Sequence, residues 1–72
     1  MNNTNYSKET FLEMIRDWQA DNAPEYDDLK IDDPEFDEDE QSWVSAAKDS
    51  ENSYQLQDDG RGNITINYLG SL

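Results

Sequence analysis

The sequence predicts an α+β fold: two short helices packed on a C-terminal antiparallel β-hairpin, in a single small domain spanning residues 1–72. Three observations carry that expectation. An apolar stripe at helical spacing runs through residues 11–18, a second runs through residues 36–47, and after Ser53 the apolar period changes to two around an Asp-Gly step.

The first helix is placed at about residues 8–21. Phe11, Met14, Ile15 and Trp18 fall at i, i+3, i+4 and i+7, which puts them on one face. Ser7 is suited to the N-cap, and Glu9 lies in the first turn, where the helix dipole favours negative charge. Asn22-Ala23-Pro24 ends the element.

Residues 22–33 read as an acidic linker. Glu25 to Asp33 carries five carboxylates beside Tyr26, Leu29 and Ile31, an extended segment whose apolar residues are expected to be pinned onto the core. A second helix is placed at about residues 34–48, with Asp33 as N-cap and Pro34 in the first helical position. Phe36, Glu40, Trp43, Val44 and Ala47 would share one face. The hairpin, at about residues 53–69, sets Tyr54 and Leu56 against Ile64, Ile66 and Tyr68. Its connector, Asp58 to Asn63, supplies two glycines for the positive φ angles of a tight turn, so Gly60-Arg61-Gly62 reads as a turn and not as a phosphate-binding loop. Because a two-stranded sheet is not stable alone, both helices are expected on one of its faces.

Composition narrows the function. The chain has 18 Asp and Glu against 5 Lys and Arg, a net charge of −13, with neither Cys nor His. Disulfides, zinc sites and Ser-His or Cys-His catalysis are thereby excluded. The mean hydropathy of −1.15 leans toward disorder, whereas an aromatic content of 11% argues for a compact core. The N-terminus has no basic segment followed by an apolar run, so neither a signal peptide nor a membrane span is expected, and the expected location is the cytoplasm.

The acid is concentrated. Glu25 to Glu40 holds ten carboxylates and one Lys in sixteen residues. Such density costs folding free energy through like-charge repulsion, and its usual benefit is solubility or a partner of opposite sign. On the first helix Glu9, Glu13, Asp17 and Asp21 stand four residues apart. Four residues rise about 6 Å, comparable with roughly 6–7 Å between neighbouring phosphates of one strand. A calcium loop fails on spacing: counted from Asp33, the sixth residue is Glu38 and the twelfth is Val44, where glycine and glutamate are needed. Paired-carboxylate catalysis needs a cleft that so short and polar a chain scarcely provides, so no enzyme activity and no cofactor are expected. Direct nucleic-acid binding is excluded by charge.

In its small size, its lack of Cys and His and its carboxylate array from Glu9 to Glu40, the chain resembles the small acidic phage-encoded inhibitors that imitate DNA, the anti-CRISPR type above all. That class shares no signature, so the candidate residues come from this chain's own charge. The resemblance implies a non-enzymatic inhibitor that blocks the DNA- or RNA-binding channel of a bacterial defence complex, such as a CRISPR effector or restriction complex, in the host cytoplasm. Glu9, Glu13, Asp17, Asp21, Asp27, Asp28, Asp32, Asp33, Asp37, Glu38 and Asp39 would meet the Arg and Lys that normally hold phosphates. The alternative is an acidic adaptor, antitoxin or immunity-type protein that binds through an aromatic patch. Trp18 and Trp43 are expected in the core, leaving Tyr6, Tyr26 and Tyr68 as candidates for that patch. A third reading is a disordered segment that folds on its partner.

Overall fold

A computed structural model describes residues 7–72. Tyr6 and the Asn/Thr-rich start of the chain lie outside the described residues. One helix, α1 (Lys8–Asp21), precedes five strands: β1 (Lys30–Ile31), β2 (Glu35–Asp37), β3 (Ser42–Lys48), β4 (Asn52–Asp58) and β5 (Ile64–Ser71). No helix among the described residues is long and apolar enough to cross a membrane.

Helix α1 forms where its apolar spacing places it. The Ser7 hydroxyl accepts the Thr10 N–H at 3.1 Å, satisfying one of the donors that a helix start leaves open. At the other end, the Asn22 side-chain amide donates to the Trp18 carbonyl at 2.8 Å. The chain then runs through turns to Asp28 and becomes extended at Lys30, so only the later part of the 22–33 linker has the extended form expected of it. Leu29 is buried and Ile31 half-buried, as pinning to the core requires.

The expected second helix at residues 34–48 is instead β2, a turn and β3. Three local features favour the hairpin. The Asp37 carboxylate accepts the N–H groups of Asp39 (3.0 Å) and Glu40 (3.3 Å), a side-chain-closed turn. Gln41 takes a left-handed φ of 53°, which a helix cannot accommodate. From Trp43 onward the inward residues are Trp43, Ser45 and Ala47, at period two and not 3.6. The tertiary reason is the inner edge of the C-terminal hairpin: β3 pairs with β4 from Val44↔Gln57 to Lys48↔Ser53 and satisfies backbone groups that a helix would leave open.

The sheet is antiparallel throughout. β4 pairs with β3 on one side and β5 on the other, while β1 and β2 share the far edge of β3. The β4–β5 hairpin has the expected pairing, with Leu56 opposite Ile66 and Tyr54 opposite Tyr68. Among the described residues one helix, α1, packs on it in place of the two expected. Phe11 and Ile15 of α1 are buried against Leu29, Ala47 and Leu56. Phe11 and Leu56 are fully enclosed, each stabilising the fold by about 1.5–3 kcal/mol. Around them the aromatics form a chain: Trp18 stacks on Tyr26 (5.2 Å), Tyr26 meets Tyr54 edge-on (5.8 Å), and Phe11 and Phe36 flank Trp43.

Candidate functional site: an acidic helix face and an acidic turn

The eleven candidate carboxylates fall into four groups. Glu9, Glu13, Asp17 and Asp21 are all exposed on α1. Successive members are about 6 Å apart along the axis and turned by about 40°, so they form a continuous row that winds around the helix in a right-handed sense. Arg16 is an exposed cation beside this row. Asp27 and Asp28 project from the turn after α1, and Asp32 and Asp33 lie between β1 and β2. Asp37, Glu38 and Asp39 belong to the β2–β3 turn. The first turns of a second helix were expected there, and strands β2 and β3 with their connecting turn stand in their place.

Carboxylates with a partner in the fold separate from those without one. Asp33 accepts from the Lys8 ammonium at 3.0 Å, and Asp37 closes its turn. Asp49, Asp58 and Asp59 do similar work elsewhere: Asp49 accepts the N–H groups of Glu51 and Asn52. Asp58 accepts those of Trp43 and Gly60. Asp59 caps the β4–β5 turn, and the Arg61 N–H, joined by the Asn63 backbone and side-chain N–H groups, holds its carboxyl below the ordinary 3.8. Among the described residues no hydrogen bond or ion pair engages the carboxylates of Glu9, Glu13, Asp17, Asp21, Asp27, Asp28, Asp32, Glu38 or Asp39.

No described group of three or more acids is arranged to hold a metal ion. Sequence reasoning did not distinguish outward-facing acids from turn-closing ones. The signal available was local: Asp49 and Asp58 each stand two residues before an N–H they bind, as Asx turns do.

The aromatic candidates divide. Trp18 and Trp43 are half-buried and pack against the core, and so does Tyr26, which is not the exposed anchor it was a candidate to be. Tyr68 is 61% exposed and packs against Tyr54 at 5.7 Å; Leu69 and Leu72 are also exposed. The face of the sheet away from α1 carries Val44, Ala46, Gln55 and Leu69, with Asp32, Asp33 and Glu35 at its margin.

No protein-family model, curated protein or solved structure matches the chain.

Proposed function

We propose that the protein is a non-enzymatic inhibitor that presents carboxylates in place of nucleic-acid phosphates and occupies the cationic DNA- or RNA-binding channel of a bacterial defence complex, of the anti-CRISPR or anti-restriction kind. The observation that supports this reading is the row Glu9, Glu13, Asp17 and Asp21, exposed, engaged by no partner among the described residues and carried on one helix. Its spacing of about 6 Å and its right-handed winding resemble one phosphate strand. The acids of the β2–β3 turn and of the linker extend the negative field beyond the helix, which speeds capture by a cationic partner and makes it strongly salt-dependent.

Of the candidates for the competing aromatic-patch reading, Tyr26 packs against the core while Tyr68 stays exposed. Capture of partners from a bacterial lysate at low salt, followed by competition with double- and single-stranded DNA, tests the proposal. Displacement of the protein from a nucleic-acid-binding partner by DNA is the expected result. A partner held in high salt and indifferent to DNA would overturn it.

A further inference from the structure

The two edges of the sheet are built in opposite ways. On one side β1 and β2 are two and three residues long. They are separated by Pro34 and carry Lys30, Glu35 and Asp37. Short, charged, proline-interrupted segments are the usual protection against pairing with another chain. On the other side β5 runs for eight residues, Ile64–Ser71, and contains no charged residue, alone among the six elements. No described strand pairs with its outer edge. Alternate residues of such an edge direct their N–H and C=O groups outward.

Further details define what fits there. The register moves from Tyr54↔Tyr68 to Ser53↔Gly70, leaving Leu69 as an extra residue, and Gly70 has φ of 139°. The regular edge is therefore Ile64–Tyr68, long enough for a short added strand. Asp17 and Asp21 of α1 line one cleft with Gly62, Asn63 and Ile64, so unpaired carboxylates stand at the start of that edge. A second copy of the chain would bring a further −13 charge to a surface already negative, whereas a strand bearing Lys or Arg complements it.

We infer that β5 is a strand-addition site: an extended, Lys- or Arg-bearing segment of the target protein pairs with Ile64–Tyr68 and places its cationic side chains against Asp17 and Asp21. This deepens the proposed function and rests on it for the cationic character of the partner. Backbone pairing supplies what a charge row lacks, a fixed register.

The test uses a blocked peptide of alternating lysine and valine, and the same peptide N-methylated at alternate residues, which keeps the charge and removes the backbone donors. Titration followed by amide NMR and hydrogen exchange is expected to show saturable binding and slowed exchange of outward amides within Ile64–Tyr68. The N-methylated peptide should bind about tenfold or more weakly, the equivalent of one or two lost backbone hydrogen bonds. Asp17→Asn with Asp21→Asn should weaken the unmodified peptide while β5 remains the site. Equal binding of both peptides, shifts confined to the β2–β3 turn, or a β5-paired dimer by sedimentation would each overturn the inference. Failure here with DNA competition intact would remove the strand site and leave mimicry standing; a positive result with a DNA-indifferent partner would do the reverse.

Discussion

The Asp58 carboxylate accepts the backbone N–H of Trp43 at 2.9 Å across the β3–β4 pair, and its second oxygen accepts the Gly60 N–H at 2.9 Å. Asp58 is only 2% exposed. One acid thus ties the start of β3 to the turn that begins the next hairpin, and its charge is offset by two backbone donors.

Asp58→Ala leaves both N–H groups without that acceptor, and the expected loss is about 1.5–3 kcal/mol. For a domain this size that lowers Tm by roughly 6–24 °C. Thermal unfolding followed by circular dichroism checks it. Asp39→Ala, at an exposed carboxylate with no partner, should leave Tm unchanged or raise it.

Leu56→Ala removes a fully enclosed side chain at the centre of the sheet. The expected cost is about 2–5 kcal/mol, against a total stability of about 4–11 kcal/mol for 72 residues. Urea denaturation should show a large fall in midpoint. A change below about 1 kcal/mol would mean that the core lies elsewhere.

Like-charge repulsion sets the salt dependence of stability. The exposed Lys8–Asp33 pair contributes little, so screening should mainly relieve repulsion among the acids. Tm should rise as salt is raised from about 0.01 to 0.15 M, where the Debye length falls from about 30 to 8 Å. A falling Tm would show that ion pairs dominate.

Asp59 gives a pH signature. Its folded pKa is depressed by the Arg61 N–H and then by Asn63, so its stabilisation is complete above its ordinary value of 3.8 and is lost as pH falls through the lower folded value. The Tm difference between the native chain and Asp59→Ala should therefore be present above the carboxyl's ordinary pKa of 3.8 and shrink as pH falls below it. A difference that persisted or grew in acid would contradict the assignment.

Helix α1 was legible because Phe11, Met14, Ile15 and Trp18 repeat at helical spacing and Ser7 marks the start. The C-terminal hairpin was legible because Asp59-Gly60 interrupts two alternating runs. Residues 34–48 were misread for a physical reason. Phe36, Trp43, Val44 and Ala47 fit a helical face, while the period-two pattern was hidden by a buried serine, Ser45, whose hydroxyl donates to the Asp32 carbonyl at 2.7 Å. A polar residue satisfied by a distant carbonyl looks like a surface residue in sequence. β1, two residues long, leaves no periodic trace at all. The exposure of the α1 acids followed from the position of the apolar stripe. The internal use of Asp33 depended on a partner 25 positions away, which spacing cannot reveal.

In the proposed function the α1 carboxylates act as a row. Glu9→Gln, Glu13→Gln, Asp17→Asn and Asp21→Asn together keep shape and helix and remove four charges, and their effect on affinity for the captured partner is the most direct measurement. The expected result is an unchanged circular dichroism spectrum, a loss of affinity of about 100-fold or more, corresponding to at least ~0.7 kcal/mol per carboxylate, and no remaining competition with DNA. Arg16→Gln should move affinity the other way. A folded variant that binds its partner as tightly as the native chain, and still competes with DNA, would contradict it.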